Sequence, residues 1–348
     1  MPFHGDGSFY EMQDVDWKDD VGLDSMELML LAAHVNSFFA IFESANPPYL
    51  LSSTKVEVWI DFIFDLKLTA NAYLDFNSSG TSGETKVTRH MVSYLEREID
   101  FLASIFKSCT YIVPYVPSYT IYGFLLTVGL SEKLSIPVLY PSKMFWKNPS
   151  GQPLIVATPF HWQLLLSSLP HQAINCMGVS AAAPLYEVLY KLLEKNGLKI
   201  TDLYGSTETA GIGYRLGSGQ SFKLFPYWGL TDNGQVRDQQ TNSTYLLMDH
   251  VQKTGDNSFV LLGRKDKQIN IAGKLVDLDE VNNFIMTIPN VKECRLSTKF
   301  VDGNQVFQAE LVLSDDSERQ RSLITSRIRD FLPPHKKPAN IYFTCLLN

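Results

Sequence analysis

Asn77-Ser78-Ser79-Gly80-Thr81-Ser82-Gly83-Glu84-Thr85-Lys86 crowds hydroxyl side chains and two glycines into one turn, between Leu74-Asp75-Phe76 and an amphipathic helical pattern. Glycines let backbone N–H groups converge on an anion with no Cβ in the way, the hydroxyls add donors, and Lys86 supplies a cation. The turn is not a P-loop of Walker type. Gly80 and Gly83 stand only three apart, and Val87, not a serine or threonine, follows Lys86. A solvated Ser/Gly linker is the other reading of the same composition.

Outward from this turn, the chain reads as globular. With 348 residues, 45% hydrophobic and 19% charged, it has room for two or three domains. Thirty basic against 37 acidic side chains leave a net charge of -7. That balance offers no broad cationic face for a nucleic acid. Cys109, Cys176, Cys294 and Cys345 lie far apart, with neither zinc-site nor disulfide-framework spacing, so a reducing, cytoplasmic setting is expected. Met1–Asp20 is acidic where a secretory leader would be basic and then apolar. The uncharged run Thr110–Leu130 is long enough to span a bilayer, but Pro114, Pro117, Ser118 and Gly123 interrupt it; no membrane span is expected, and burial in an α/β core fits it better.

The texture divides the chain into three. Residues 1–70 are helical, with apolar runs starting at Gly22-Leu23-Asp24-Ser25 and at Val56. Residues 71–262 alternate short β-rich runs (Tyr111-Val113, Val138-Tyr140, Leu154-Val156, Tyr245-Met248) with helices predicted at Ser93–Phe106 and Pro184–Asn196, the pattern of an α/β domain. Residues 263–348 predict a smaller α+β lobe, with a strand at Gln268–Ile271, a helix at Leu278–Thr287, strands at Cys294–Phe300 and Val306–Leu313, and a helix near Glu318–Phe331.

Ser78 to Lys86 resembles the phosphate-binding signature of the adenylate-forming superfamily, which includes acyl-CoA synthetases, adenylation domains and luciferases. Four further stretches resemble family elements, in the same order. Ser180-Ala181-Ala182-Ala183-Pro184-Leu185 is similar to the segment against the adenine ring, which implies nucleotide contacts from Ala182, Ala183 and Pro184. Tyr204-Gly205-Ser206-Thr207-Glu208 resembles Y-G-x-T-E, implying that Tyr204, Gly205 and Ser206 line the nucleotide, Thr207 takes its phosphate side and Glu208 holds Mg²⁺. A hard dication bound through oxygen suits attack on a phosphoryl group. Thr254-Gly255-Asp256 resembles the ribose-fixing T-G-D, so Asp256 is expected at the ribose. Gly263 to Gly273 resembles the G-R-x-D linker, implying a ribose contact from Arg264, a hinge at Asp266 and a thiol tunnel near Gly273. Taken one at a time, Glu208 could be a first-turn carboxylate, Asp256 a turn aspartate and Arg264 a surface cation.

Val21-Gly22-Leu23-Asp24-Ser25-Met26 looks like the signature of acyl and peptidyl carrier proteins, with Ser25 as the phosphopantetheine attachment point. A hydroxyl at the positive end of a helix dipole tolerates a phosphodiester. The other reading is a plain helix cap by Asp24 or Ser25, with Glu27 in the first turn.

The sequence departs from the family in three places. About 75 residues precede the phosphate loop where relatives have well over a hundred, so a shortened large domain is expected. Thr120-Ile121-Tyr122-Gly123-Phe124 has threonine where histidine is common. The stretch Leu332–Phe343 runs to Asn348 without a counterpart of the family's final lysine, and Lys336-Lys337 read as a solvated pair. A cation missing from the developing phosphorane slows adenylation by about a hundred- to a thousand-fold.

The expected fold is therefore a truncated α/β adenylate-forming domain with a small C-terminal lobe and a short helical carrier-like segment before it. The resemblance implies an ATP- and Mg²⁺-dependent ligase, with Thr207, Glu208 and Lys86 as its catalytic residues. It would join a small carboxylic acid to a phosphopantetheine thiol, on an acyl carrier protein loaded at Ser25 by a phosphopantetheinyl transferase or on a separate carrier. A ligase using free coenzyme A and a nucleotide-binding carrier scaffold are the alternatives. Phe222–Trp228 and Tyr119–Tyr122 would suit a flat apolar acid, or form ordinary core.

Overall fold

The computed structural model describes residues 15–43, 49–67, 72–79, 85–141, 151–166, 176–231, 233–265, 268–271, 274–301 and 304–345. They fall into two compact units, one running to Ser78 and over Thr85–Lys143, the other over Met144–Asn348.

In the first unit, α1 (Ser25–Phe38) starts at a reciprocal cap. The Glu27 amide donates to Asp24 at 2.8 Å and the Asp24 amide donates to the Glu27 carboxylate at 2.9 Å. Leu28 and Ala32 then pack with Ile41, Leu50 and Trp59, the last from α2 (Val56–Lys67). The Trp59 indole N–H donates to the Ser53 carbonyl at 2.8 Å, so this large ring is buried without an orphaned donor. β1 (Tyr73–Ser79) and β2 (Thr85–Met91) form a two-stranded sheet. α3 (Val92–Phe106) buries Leu95, Ile99, Leu102 and Phe106, the spacing of one helix face. β3 (Tyr111–Pro114) is buried along its whole length. Val138, predicted in a strand, makes only an isolated bridge to Ile112.

The run mistaken most easily for a membrane span breaks up as its prolines and glycine dictate. It comprises β3, a loop, α4 (Ile121–Gly123), a π-helical turn over Phe124–Gly129 and α5 (Leu130–Leu134). Among the described residues no helix is long and apolar enough to cross a membrane. Thr120 caps this segment, accepting from the Gly123 amide at 3.1 Å and donating to the Pro117 carbonyl at 2.8 Å. A Cβ at Gly123 would collide with that same carbonyl, so the turn requires glycine.

The second unit carries β4 (Pro153–Ala157), α6 (Pro159–Leu166), β5 (Met177–Ser180), α7 (Glu187–Lys195), β6 (Lys199–Ser206), β7 (Ala210–Arg215), β8 (Phe222–Leu224), β9 (Trp228–Leu230), β10 (Gln235–Asp238), β11 (Thr244–Leu246), β12 (Asp249–Gly255) and β13 (Ser258–Arg264). Its main sheet is ordered β12-β13-β8-β7-β6-β5-β4. β4, β5 and β6 are parallel, and the remaining pairs are antiparallel. The parallel β4 is apolar and buried at every position, as a strand covered on both faces must be. Gly178 leaves room for the Trp162 ring of α6, whose N–H donates to the Val179 carbonyl at 3.1 Å. β9, β10 and β11 form a separate antiparallel sheet. The predicted helix from Pro184 begins later, at Glu187, because Tyr186 keeps an extended backbone.

The smaller lobe within this unit follows the predicted order: β14 (Gln268–Ile271), β15 (Lys274–Asp277), α8 (Leu278–Met286), β16 (Val291–Val301), β17 (Asn304–Leu313), α9 (Glu318–Phe331) and β18 (Asn340–Cys345). β16 and β17 are antiparallel, β18 joins β17 in parallel, and Val281, Ile285, Phe307, Leu311, Ile324 and Ile328 fill the core. Lys336 corrects the expectation of a solvated pair. Its ammonium donates to both carboxylate oxygens of Glu280 at 2.6 Å, and its side chain is 14% exposed.

Candidate functional site

Three parallel strands point their carboxyl ends to one edge of the sheet, the edge at which open α/β sheets bind ligands. β5 ends at Ser180, paired with Asp202 of β6. β6 runs on through Leu203, Tyr204, Gly205 and Ser206. The loop Ala181-Ala182-Ala183-Pro184 and the Tyr204–Glu208 stretch therefore leave the sheet side by side. Ala182 holds a left-handed φ of +68°, which turns the loop sharply and presents small side chains, Ala182 and Pro184 exposed and Ala183 half-buried.

Thr207, Glu208 and Thr209 form the tip of the β6–β7 hairpin, between the paired residues Ser206 and Ala210. The Thr209 hydroxyl lies 3.1 Å from the Ser206 hydroxyl and accepts from the Ser206 amide at 3.2 Å. The Thr209 amide in turn donates to the Ser206 hydroxyl at 3.3 Å. Ala210 closes the turn at a φ of +55°. These contacts hold Thr207 half-buried and the Glu208 carboxylate exposed at the apex. One exposed carboxylate among hydroxyls fits Mg²⁺, which keeps several waters and takes one or two carboxylates plus substrate phosphates.

The Tyr204 hydroxyl donates to Asp249 Oδ2 at 2.8 Å. Its ring stands edge-on to Phe259 at 5.6 Å and tilted to Phe222 at 5.9 Å, and those two phenylalanines stack at 5.5 Å. Burial, and then the adjoining Asp249 carboxylate, push the phenol far above its ordinary range, with Arg264 opposing. Tyr204 is thus a fixed donor. Asp249 pairs in register with Arg264 across the β12–β13 hairpin, and Arg264 donates to the Gln268 side chain at 3.2 Å.

Asp256 is elsewhere. It occupies the exposed turn at the other end of this hairpin, beside the Gly255–Ser258 pair. Six strand residues separate that end from Asp249, roughly 20 Å at strand rise. The chain thus gathers the Ala182–Pro184 loop, the Tyr204–Glu208 stretch and Arg264 on one side, and leaves Asp256 out. Sequence reasoning missed Asp249, for which the only signal was an acidic residue opening the strand that leads to the quoted T-G-D.

A second missed feature braces the edge from below. Arg215 donates to Asp202 at 2.8 Å, to the Leu185 carbonyl at 2.7 Å and to Glu187. One guanidinium therefore ties β6, β7, α7 and the end of the Ala182–Pro184 loop together. Burial pushes the Asp202 carboxyl up to about 7, while Arg215 pulls the other way.

The remaining expected residues are spread along the chain. Lys86 lies near the start of β2 with an exposed side chain, and Ser78 and Ser79 end β1. Gly80, Thr81, Ser82 and Gly83, the hinge residue Asp266 and the tunnel residue Gly273 lie outside the described residues. Ser25 is the first residue of α1 and is exposed. The aromatic run Phe222–Trp228 is mostly core, with Phe222, Phe225 and Trp228 buried.

No protein-family model matches the chain. The 4-coumarate--CoA ligase of Halorhodospira halophila is 25% identical over 334 residues, covering 93% of this chain and 85% of the relative. The enzyme of the same name from Cereibacter sphaeroides is 27% identical over 346 residues, covering 94% and 81%. A solved double mutant of o-succinylbenzoate CoA synthetase from Bacillus subtilis superposes with a TM-score of 0.62 at 15% identity, over 79% of this chain and 66% of that one. The chain thus spans about two thirds of that solved structure. At 15% identity this last likeness speaks for the fold, the α/β architecture expected from the sequence. With the near full-length likeness to two ligases and the motifs in family order, the chain is similar to the adenylate-forming, acyl-CoA synthetase-like ligases.

Proposed function

We propose that this chain joins a small carboxylic acid to coenzyme A in two steps. The carboxylate attacks the α-phosphate of ATP, releasing pyrophosphate and forming an acyl-adenylate. A thiol then attacks the acyl carbon and AMP leaves. The observation that carries this reading is the Tyr204–Asp249 hydrogen bond, with Arg264 opposite Asp249, at the sheet edge that also bears Ala182–Pro184 and the Thr207–Glu208 turn.

Ala182, Ala183 and Pro184 offer a small-residue ledge for the adenine, with Tyr204, Gly205 and Ser206 along its border. Thr207 donates to the phosphates, and Glu208 is the carboxylate that would hold Mg²⁺, which neutralises phosphate charge when bound. The ribose carboxylate is Asp249 rather than Asp256, because it shares the sheet end with Arg264. Ser78, Ser79, Gly80, Thr81, Ser82, Gly83 and Lys86 are assigned to the phosphates on their motif alone, as are Asp266 to the hinge and Gly273 to the thiol path. The protein's part is positioning and electrostatics. Its own described free thiols take no part: burial pushes Cys109, Cys176 and Cys294 each up to about 11. Free thiols also suit the reducing cytoplasm proposed as its location.

Free coenzyme A is preferred as acceptor because the likeness to the two CoA ligases takes in 93–94% of the chain. It must therefore run well into residues 1–70, about a fifth of the length. The exposed Ser25 at a helix start favours the second reading, a carrier thiol. Intact-mass analysis after treatment with a phosphopantetheinyl transferase separates them. A single adduct, lost in Ser25→Ala, establishes the carrier, and an unmodified chain leaves coenzyme A.

The decisive measurement for the ligase is pyrophosphate exchange into ATP with a panel of aryl and alkyl acids. Exchange above background is expected with at least one acid. ATP binding with no exchange across the panel establishes the nucleotide-binding scaffold instead. Glu208→Gln is expected to lower Mg·ATP-dependent exchange by about a hundredfold while leaving the melting temperature nearly unchanged. Full exchange in that variant would show the metal to be held elsewhere.

A further inference from the structure

We propose that Tyr204 is a positioning residue that acts through its hydroxyl on Asp249, aiming that carboxylate at the vicinal hydroxyls of the nucleotide ribose. This inference rests on the assignment of the ribose to Asp249 made above. Asp249 is the first residue of β12, at the outer edge of the sheet, and is only half-buried. An aspartate there has a soft terminal torsion and, left alone, samples solvent. The phenol removes that freedom by donating to Oδ2 at 2.8 Å.

Tyr204 can do this because it is itself immobile. Its backbone is paired with Gly213 of β7, and its ring is set against Phe222 and the fully buried Phe259. Burial and the carboxylate keep the phenol protonated, so it donates and never repels. With Oδ2 engaged by the phenol, Asp249 still has the lone pairs of Oδ1 to accept from a diol. Tyr204 would thus impose a preference for a nucleotide with both ribose hydroxyls without touching the ribose.

The test is calorimetric binding of ATP and of 2′,3′-dideoxy-ATP to the full chain, the Tyr204→Phe and Asp249→Ala variants and the double variant. Tyr204→Phe keeps the ring, and far-UV circular dichroism with thermal melting checks that the fold is intact. The expected result is a loss of about tenfold in ATP affinity for Tyr204→Phe, the size of one hydrogen bond to a charged group, with a change under about twofold for the dideoxy analogue. Added to Asp249→Ala, the same substitution should have no further effect. If Asp249→Ala binds ATP as the parent does, or the parent binds no ATP, the underlying ribose assignment fails and this inference with it. If Asp249→Ala weakens ATP while Tyr204→Phe changes nothing, or weakens both nucleotides alike, the positioning role is overturned and Asp249 stands.

Discussion

Ala182 carries a φ of +68° in the loop assigned to the adenine, a conformation that costs an L-residue with a Cβ about 1–2 kcal/mol. Ala182→Gly removes that strain and adds back some unfolded-state entropy, so it should stabilise the chain by about 0.5–1 kcal/mol, read as a higher urea midpoint. A lower midpoint would show that the alanine methyl makes packing contacts worth more than the strain. Asp202 is the opposite kind of residue, a buried carboxyl paired with Arg215. Asp202→Asn leaves Arg215 with Glu187 and the Leu185 carbonyl, which its two terminal nitrogens reach. A loss of about 2 kcal/mol is expected in chemical denaturation, toward the lower end for a broken buried pair because Glu187 remains.

At the scale of elements, short local devices decide where each begins and what it presents. The α1 cap is made by Asp24 and Glu27, so Asp24→Ala should cost about 1 kcal/mol, whereas Ser25→Ala should leave the melting temperature unchanged. Equal losses in both variants would place the cap on the serine. In the β6–β7 hairpin, the reciprocal Ser206–Thr209 contacts do for the turn what the capping box does for a helix. They fix the backbone on either side of Thr207 and Glu208, so on the proposed function these two would not have to be ordered on binding a nucleotide.

For the molecule as a whole, the acid side of the stability profile is set in part by histidine. Burial holds His161 below its ordinary 6.5, and its Nδ1 lies 2.9 Å from the Thr158 hydroxyl. The unfolded chain therefore binds this proton more readily than the folded one, so stability is retained above about pH 6.5 and falls as pH drops through that value. Melting temperatures between pH 7.5 and 5.5 should decline, and His161→Gln should flatten the decline. An unchanged slope in that variant would assign the acid sensitivity to other groups, with His335, likewise held low by burial, the next to test.

Much of this was legible in the chain before any coordinates. The periodicities of Leu95–Phe106 and Glu318–Phe331 and the all-apolar run at Leu154 are local properties, and local patterns specify elements. The order of the motifs pointed toward adenylate-forming ligases and singled out Ala182, Tyr204, Thr207, Glu208 and Arg264 as candidates. What the chain could not show is which acidic residue shares an end of the sheet with Arg264. Asp249 and Asp256 are seven positions apart on one hairpin, and only strand register, set by pairing across β12 and β13, puts one beside Tyr204 and the other at the far turn. The bracing of four elements by Arg215 was hidden for the same reason, since its partners lie 13 to 30 residues away in sequence. Local chemistry determined the parts; non-local pairing decided which parts meet.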